Sequence, residues 1–394
     1  MKEGWVYKKL GEVCIIERGG SPRPIKDYIT NDTDGLNWIK IGDTDPQGKY
    51  IYSTKEKIIP TGLKKTRWVN VDDFLLSNSM SFGRPYILKT NGCIHDGWLV
   101  LREYQQNLNT DFFYYLLLSP TVQRQFKQKA QGSTVSNLNT QRVSDVEVSF
   151  PTLAVQQRIV SNLDTEFAKI EALKDNAEKQ LQAAKDLFQA ALKELMTPKD
   201  GWVEKKLREV CIIERGGSPR PIKDYITNDS DGLNWIKIGD TDPQGKYIYS
   251  TKEKIKSTGL KKTRFVNVDD FLLSNSMSFG RPYILKTNGC IHDGWLVLSE
   301  YQHNLNIDFF YYLLLSSNVQ RQFKQKAQGS TVSNLNTQRV SGVEISFPTK
   351  AEQQRIADRL DALSANVKAL QTNYTETITL CNDLKQALLK KVFE

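Results

Sequence analysis

The sequence predicts an α+β chain in which two repeated globular domains are joined by a long antiparallel two-helix coiled coil with pseudo-twofold symmetry. Three observations predict this fold. The sequence repeats itself in a register of 197 residues, short strand-like runs alternate with polar loops inside each repeat, and each repeat precedes a long stretch without glycine or proline. With 394 residues and 39% hydrophobic content, the chain is long enough to bury more than one core.

The repeat is nearly perfect over its globular part. Between residues 4 and 151 and their equivalents 197 residues later, only 13 of 148 positions differ, whereas the copies diverge after Pro151 and Pro348. Two copies need far less similarity to share a fold, so we expect the two domains to present nearly the same surface. The predicted order is domain, helix, domain, helix, at residues 1–151, 152–197, 198–348 and 349–394.

Each domain mixes strand-like runs with helices. Asp111 is predicted to open a helix with the sequence FFYYLLL, whose aromatic residues we expect in the core rather than on a base-stacking surface. Ser119 and Pro120 are typical of the start of a second helix, which Gly132 would end. The strand-like runs of the first domain are Asn37–Ile41, Thr66–Val71, Phe74–Ser77, Trp98–Leu101 and Val146–Phe150.

The two long stretches are predicted to be paired helices. From Leu153 to Met196 apolar residues recur at steps of three or four, and the stretch from Ile356 to Val392 repeats the pattern. A helix of about 44 residues is about 66 Å long and cannot bury its apolar stripe alone. Chain connectivity favours antiparallel pairing of the two helices, which would place the domains at opposite ends of one rod. The alternative is that each helix packs only on its own domain.

Positive charge is concentrated in the two domains. Residues 1–150 hold 20 Lys and Arg against 16 Asp and Glu, residues 201–347 hold 20 against 15, and the remaining residues from 151 onward hold 14 of each. A basic membrane-binding helix would show the opposite distribution, so we expect an anionic partner to meet the domains. No stretch approaches the roughly 18 apolar residues of a membrane span, and a cytoplasmic location is expected.

The candidate motifs for catalysis or metal binding lack required residues or spacings. The segment GDTDPQGKY imitates a phosphate-binding loop, but five residues separate Gly42 from Gly48 and Tyr50 replaces the required Ser or Thr. The five cysteines show no CxxC spacing, and the pair Cys93 and His95 is too small for a zinc site. We therefore predict no catalytic residue, no metal site and no cofactor in this chain. Two rivals remain: a stand-alone DNA-modifying or nuclease enzyme with duplicated domains, and a coiled-coil adaptor that binds protein.

Polar loops in both copies are candidates for contacting double-stranded DNA, because Arg and Lys bond phosphates or guanine, and Asn, Ser and Thr bond base edges. In the first domain these loops span residues 18–26, 40–49, 64–67, 77–84, 95–98 and 131–139, and none of the 13 differences falls in them. The candidates in the first domain are Arg23, Lys26, Lys40, Lys64, Lys65, Arg67, Ser79, Ser81, Arg84, His95, Ser133, Thr134, Asn137 and Asn139. Those in the second are Arg220, Lys223, Lys237, Lys261, Lys262, Arg264, Ser276, Ser278, Arg281, His292, Ser330, Thr331, Asn334 and Asn336.

The combination of motifs resembles the specificity subunit of type I restriction-modification systems. In that family each half opens with a Trp and an LxEV-type segment, here GWVYKKLGEV and GWVEKKLREV. Each recognition domain closes with a polar loop, a short strand, a proline and a QQxxI helix start, here ending in SFPTLAVQQRI and SFPTKAEQQRI. The motifs are weak singly, but their order, their repetition and the long helices make the combination specific.

The resemblance implies a function and partners. Each domain would be a target-recognition domain that reads half of a split DNA site, and the helices would be the spacer. Two methyltransferase subunits carrying S-adenosylmethionine and restriction-translocation subunits using ATP and Mg²⁺ would complete the complex. The domains of this family usually differ, whereas here they are nearly the same, so we expect the site to be an interrupted palindrome.

Overall fold

The structure, a computed structural model, describes residues 2–78, 83–130, 138–243, 245–275, 280–327 and 335–394. The chain forms two compact units. Unit 1 comprises Met1–Glu178 and Thr375–Glu394, and unit 2 comprises Lys179–Tyr374. Each unit therefore contains one copy of the repeated domain together with a portion of both long helices.

The first domain mixes short strands and helices, as predicted. Within the described residues its strands are β1 (Val6–Lys9), β2 (Ile15–Arg18), β3 (Ile29–Thr30), β4 (Leu36–Ile39), β5 (Tyr50–Ile51), β6 (Glu56–Ile58), β7 (Arg67–Val69), β8 (Phe74–Ser77), β9 (Pro85–Leu88), β10 (Gly92–Ile94), β11 (Trp98–Arg102) and β12 (Glu147–Phe150). Its helices are α1 (Thr110–Leu118), α2 (Pro120–Ala130) and α3 (Thr140–Ser144), and the long helix α4 (Leu153–Leu195) follows.

The second domain repeats these elements one for one. Its described strands are β13 (Val203–Lys206), β14 (Ile212–Arg215), β15 (Ile226–Thr227), β16 (Leu233–Ile236), β17 (Tyr247–Ile248), β18 (Glu253–Ile255), β19 (Arg264–Val266), β20 (Phe271–Ser274), β21 (Pro282–Leu285), β22 (Gly289–Ile291), β23 (Trp295–Ser299) and β24 (Glu344–Phe347). Its helices are α5 (Ile307–Leu315), α6 (Ser317–Ala327) and α7 (Thr337–Ser341), and the long helix α8 (Lys350–Phe393) follows.

Two five-stranded sheets form the centre of each domain. In the first domain the inner sheet has the order β2-β11-β8-β9-β5 and the outer sheet the order β3-β6-β4-β10-β7, while β1 and β12 pair separately. The pairs β5 with β9 and β4 with β10 are parallel, and the other pairs in these sheets are antiparallel. The second domain has the same strand orders.

The inner sheet is apolar on both faces. On β8, Phe74 and Leu76 pack with the helices, whereas Leu75 packs against the outer sheet. On β11, Leu99 likewise faces the helices and Val100 the outer sheet. Burying a side chain of this size stabilises the fold by about 1.5 to 3 kcal/mol. Each face of these strands therefore has to pack against another element.

The helices that cover the inner sheet begin close to the predicted positions. The first begins at Thr110, one residue before the predicted start, because the Asn109 side chain accepts hydrogen bonds from the backbone N–H groups of Asp111 and Phe112, each at 3.0 Å. The predicted burial of the FFYY cluster is confirmed. Gly132, the predicted end of α2, lies outside the described residues.

The predicted strand Asn37–Ile41 is too long at its end. A carboxylate oxygen of Asp43 accepts the backbone N–H of Lys40 at 2.8 Å, so this group is not available to a neighbouring strand. Residues Ile41–Asp43 form a 3-10 helix instead. The sequence reasoning also missed β1 to β3, β5, β6, β9 and β10, which are two to four residues long.

The long helices run antiparallel within each unit. In unit 1, Val160 of α4 and Phe393 of α8 pack in the core of the first domain, and farther along α4 Glu171 pairs with Lys385. In unit 2, Leu195 of α4 and Leu360 of α8 pack in the core of the second domain. Each domain thus packs on both helices, and the alternative of one helix per domain is wrong.

Candidate nucleic-acid interface

Four of the predicted DNA-binding loops meet in each domain and form what we call the loop cluster. It comprises residues 18–26, 64–67 and 95–98 and the first part, 40–43, of the predicted loop 40–49 in the first domain, and residues 215–223, 237–240, 261–264 and 292–295 in the second. Backbone hydrogen bonds join the loops, since Gly19 N–H donates to Trp98 O at 3.0 Å and Gly20 N–H to Ile94 O at 3.1 Å. The Thr66 hydroxyl donates to the same Ile94 oxygen at 2.7 Å.

The glycine pair lets one loop pass between two others. A Cβ atom on Gly19 would lie 2.2 Å from the His95 carbonyl oxygen, and one on Gly20 would lie 2.7 Å from the Lys65 carbonyl oxygen. Both contacts are with backbone atoms that the surrounding strands hold in place. Only glycine therefore fits at these two positions.

Asp96 connects the loops through its side chain. Its carboxylate accepts a hydrogen bond from Ser21 Oγ at 2.7 Å and lies 3.5 Å from the guanidinium of Arg23. Its backbone oxygen accepts from Arg18 Nε at 3.1 Å and from Asn78 Nδ2 at 2.8 Å. The hydrogen bond from Ser21 lowers the pKa of Asp96 below its ordinary value, so the carboxylate is charged at neutral pH.

The second domain reproduces this arrangement around Asp293. The Ser218 hydroxyl donates to the Asp293 carboxylate at 2.7 Å, and Arg220 lies 3.5 Å away. Arg215 and Asn275 donate to its backbone oxygen at 3.2 and 2.8 Å. Both domains therefore hold the loop with the same contacts.

His95 lies between two backbone N–H groups. The N–H of Gly97 points at Nδ1 at 2.8 Å and that of Ile41 points at Nε2 at 3.2 Å. A neutral imidazole accepts at one nitrogen only, so it bonds one of these groups at a time. Burial lowers the pKa of His95, and likewise of His292, below the ordinary value and favours this neutral form.

An open pocket lies among three of the four loops of each cluster, since no residue of 64–67 or 261–264 lines it. Its volume is about 720 Å³ in the first domain and about 940 Å³ in the second. Three of the predicted residues, Arg23, Lys40 and His95, line it together with the apolar side chains of Ile25 and Trp38. The second pocket includes Arg220, Lys237 and His292.

The predicted cations of the loop cluster fall into two groups. Lys40 pairs with Glu56 at 2.6 Å, Arg67 pairs with Glu17 at 2.9 Å, and Lys65 donates to the Tyr28 hydroxyl at 2.7 Å. These contacts hold the loops together. The second group consists of Arg23, Lys26 and Lys64, which are exposed, as is Lys65. The Arg23 side chain is 81% exposed although it lies beside Asp96.

The equivalent cations of the second domain divide in the same way. Lys237 pairs with Glu253 at 2.5 Å, Arg264 with Glu214 at 3.1 Å, and Lys262 donates to the Tyr225 hydroxyl. Arg220, Lys223 and Lys261 are exposed, and so are Lys262 and Arg264 despite their contacts. The exposed cations of the two domains are placed to meet an anionic ligand.

Other predicted residues lie away from the pockets. Arg84 donates to Gly48 O at 3.3 Å, and Arg281 lines a cleft with side chains of α4 and α8. Asn139 and Asn336 accept the first backbone N–H groups of α3 and α7 and cap these helices. Ten predicted residues lie outside the described part of the chain, namely Ser79, Ser81, Ser133, Thr134, Asn137, Ser276, Ser278, Ser330, Thr331 and Asn334.

The described ends of the remaining loops lie next to the cluster. Asn78 N–H donates to Gly97 O at 3.1 Å, and Leu138 N–H donates to Asn78 O at 3.0 Å. These two residues border the predicted loops at 77–84 and 131–139. The turn at 95–98 is therefore where the described parts of most of the predicted loops meet.

Comparison with known proteins assigns the family. A family model described as the type I restriction modification DNA specificity domain matches residues 2–183 and again residues 199–380. The chain belongs to this family. The EcoBI specificity subunit of Escherichia coli is 21% identical over 420 residues, which cover 99% of this chain and 86% of the relative.

Solved structures show the same fold. A chain from work on complex assembly and conformational transition of the type I R-M system has a TM-score of 0.83 at 21% identity, covering 100% of this chain and 98% of that one. The HsdS subunit of Thermoanaerobacter tengcongensis has a TM-score of 0.60 at 20% identity, covering 100% and 97%. The predicted α+β fold and the resemblance to type I specificity subunits are thereby confirmed, and the rival of a duplicated nuclease receives no support.

Two further properties bear on the type of site. Among the helices that the structure describes, none is long and apolar enough to cross a membrane. Within the same residues, no group of three or more His, Cys, Asp and Glu side chains lies close enough to hold a metal ion. In this specificity-family chain, each pocket is lined by two cations, a serine, a histidine, a carboxylate and apolar side chains.

Sequence reasoning missed the residues that hold the loop cluster. Asp96 and Ser21 were not among the predicted contacts. Asp96 is an anion and so does not fit the cations, amides and hydroxyls expected to bind DNA, and nothing in the sequence distinguishes Ser21 from the other hydroxyls of the polar loops. The repeat keeps both residues, but it keeps the core as well and so does not single them out. The sequence signal that could have identified Asp96 is a carboxylate directly after His95, in a turn that was predicted, like the loop 18–26 with its arginines, to contact DNA.

We expect loss of the Asp96 carboxylate to weaken DNA binding through the loop it holds. The double variant Asp96→Ala and Asp293→Ala removes the hydrogen bonds from Ser21 and Ser218, and should lower affinity for the DNA site about tenfold. The measurement is fluorescence anisotropy at fixed salt with the specificity subunit in its complex.

The matched control is Asp27→Ala with Asp224→Ala, which removes the same number of negative charges from exposed positions nearby. The control should bind DNA as well as the unchanged protein or slightly better. Equal loss of affinity in both variants would contradict a role of Asp96 in holding the loop.

The two buried histidines predict a dependence of stability on pH. Their folded-state pKa lies below the unfolded value of 6.5, so the unfolded chain binds more protons as the pH drops below 6.5. The stabilising effect is complete above pH 6.5 and is lost as the pH falls toward the folded-state pKa. Urea unfolding between pH 7.5 and 5.5 should show this decline, and the variant His95→Gln with His292→Gln should show a flatter profile; an unchanged profile would refute this cause.

Proposed function

We propose that this chain is the non-catalytic DNA-recognition subunit of a type I restriction-modification complex, in which each domain reads one half of a bipartite, gapped site. The observation that supports it most is the pair of loop clusters, which present the same exposed cations and the same pocket in both domains. Partner subunits would carry out adenine methylation or cleavage at the site that this chain selects.

Charge and geometry agree on the surface that meets DNA. The excess of basic over acidic residues lies in the two domains, while the helical segments are balanced. Within the first domain, Arg23 lines the pocket, and Lys26 and Lys64 are exposed on other parts of the same loop cluster. Contacts of this kind with phosphates supply affinity and register, and the polar loop side chains supply sequence selection.

The two domains are equipped to read the same half-site. All loops of the cluster are identical in the two copies. One difference lies beside the cluster, where Arg102 of the first domain is replaced by Ser299 in the second. The ion pair of Arg67 with Glu17 is nevertheless present in the second domain as the pair of Arg264 with Glu214. Two equal readers on antiparallel helices fit one short sequence, a fixed gap and the inverted repeat of that sequence.

The test is to map methylated adenines in a host without its own methylation that expresses this chain and its cognate methyltransferase subunit. The expected result is one gapped palindrome. An asymmetric gapped site would contradict equal reading by the two domains, and the absence of new methylation with a bound and active partner would contradict the recognition role. In the same assay, normal methylation by the variant Arg84→Ala with Arg281→Ala would remove these arginines from the set of DNA contacts.

The helices expose leucines that fit partner subunits. In unit 1, Leu173 is 57% exposed and lies three residues after the buried Ile170, and Leu384 is 48% exposed and lies three residues after the buried Cys381. Each leucine follows a residue buried between the helices by three positions. Because the two helices are antiparallel, the same offset on both places the two leucines on one face of the helix pair.

Unit 2 carries the same pattern. Leu187 is 54% exposed and follows Ala184 by three residues, and Leu370 is 39% exposed and follows Val367 by three residues. Each unit thus offers one such pair of leucines, and unit 1 also exposes Leu153 and Leu380 on its helices. One equivalent pair per unit supports one methyltransferase subunit per unit and two per chain. The restriction-translocation subunits would join this assembly, and S-adenosylmethionine, ATP and Mg²⁺ would bind to the partners.

We expect charge on one leucine pair to remove one partner. The variant Leu173→Glu with Leu384→Glu keeps good helix formers but places charge on the apolar face. Light scattering of the complex should then show one methyltransferase subunit instead of two. The control Val71→Glu with Val268→Glu changes two valines that are each 46% exposed on the domains, and it should still bind two; two subunits bound by the leucine variant would refute this docking face.

A further inference from the structure

Lys246 joins the second domain to the long helix α8. Its side chain is only 14% exposed, and its Nζ lies 2.7 Å from Asp308 Oδ1 and 2.8 Å from Asp361 Oδ1. Asp308 belongs to the first turn of α5 in the domain, whereas Asp361 belongs to α8. Burial alone would lower the pKa of Lys246, but the hydrogen bonds to both carboxylates raise it above its ordinary value.

Three aromatic rings complete the surroundings of this cation. The Lys246 nitrogen lies 5.6, 5.2 and 5.0 Å from the ring centres of Tyr247, Tyr311 and Tyr312. The Tyr312 hydroxyl also donates to the Asp361 carboxylate at 2.5 Å. A buried charge with two carboxylates and three rings is well compensated, and it allows little sliding of the domain on the helix.

The equivalent junction of unit 1 is built differently. Lys49 lies among the equivalent rings and pairs with Asp111 of the domain at 2.5 Å, and Tyr115 rather than the lysine is hydrogen-bonded to Asp164 of α4. Among the described ion pairs, none joins Lys49 to Asp164. The lysine of unit 1 therefore contributes less to holding the domain on the helix.

Aromatic packing takes over this role in unit 1. Phe167 of α4 packs on Tyr115 with ring centres 5.3 Å apart, and Lys385 lies over Phe167 and pairs with Glu171. In unit 2 the position of Phe167 is occupied by Ser364, and Phe188 of α4 lies farther from the equivalent tyrosine, with its ring centre 6.2 Å from that of Tyr312. A cleft of about 280 Å³ lies there, lined by Ser364 and by side chains of the domain and of both helices.

We propose that Lys246 is a positioning residue that fixes the angle of the second recognition domain on α8 and thereby sets the length of the DNA gap that the complex accepts. This inference rests on the proposed function. The first domain, held by Phe167, depends less on its lysine. A change at Lys246 therefore alters the accepted spacing and leaves the half-site sequence unchanged, since the loop cluster is elsewhere in the domain.

The experiment measures methylation of a DNA library in which both half-sites are constant. The gap between them is one base pair shorter than the original, equal to it, or one base pair longer. The unchanged complex must first select one gap length, and failure at this step would count against the proposed function rather than against Lys246. For Lys246→Met, the preference for the original gap should fall about tenfold while the half-site sequence stays the same. Lys49→Met should have a clearly smaller effect.

A second substitution tests the cause. Ser364→Phe introduces the side chain that fills the equivalent position of unit 1, and in the Lys246→Met background it should restore much of the gap preference. Asp361→Asn, which keeps the shape of the side chain, serves as the second variant if Lys246→Met does not fold, and it should relax the gap in the same way. An unchanged gap preference in the folded variants, or an equal effect of Lys49→Met, would overturn the proposal.

Discussion

The constraint on which each domain depends is that its inner sheet is apolar on both faces. Strands such as β8 and β11 send alternate side chains toward the helices and toward the outer sheet, so neither face tolerates water. The helices and the outer sheet are therefore both required, and the polar residues are left to the connecting loops. Those loops then satisfy their backbone groups among themselves, as Gly19 does with Trp98 and Gly20 with Ile94.

This origin of the loop cluster explains why its charges have two different roles. Lys40 and Arg67 are paired with glutamates, and Asp96 accepts hydrogen bonds from several loops. These residues fix the positions of the loops, and together we call them the frame. Arg23 and Lys26 extend from the frame into solvent. A cation on a fixed loop loses less conformational entropy when it binds a phosphate than one on a mobile loop, because the loop is already ordered. The frame thus improves binding by residues that it does not itself contain.

The parts of the structure that sequence could predict are those with a long-range pattern. The repeat, the two long helices and the buried FFYY cluster each rest on many residues that agree. In the outer sheet β4 and β7 were predicted, but β3, β6 and β10 were not, because these strands have two or three residues and gain their stability from neighbours distant in the chain. The direction of single side chains was equally out of reach: Arg84 lies in a polar loop as His95 does, yet it donates to Gly48, while His95 lines the pocket.

The two domains are nearly identical, whereas the two helices have diverged. This indicates that DNA recognition by the domains and attachment of the domains to the helices depend on different residues. The copies share their loops and keep the aspartates Asp164 and Asp361 that meet each domain, but they differ at Phe167 and Ser364. In unit 1 Phe167 packs on the domain, whereas in unit 2 the buried ion pair of Lys246 with Asp361 adds to the packing of Phe188 on Tyr312. Packing is indifferent to charge, whereas a buried pair loses its compensation when one partner is removed. Two domains with equal DNA-binding surfaces thus differ in how firmly, and by which interaction, each is held to its helices.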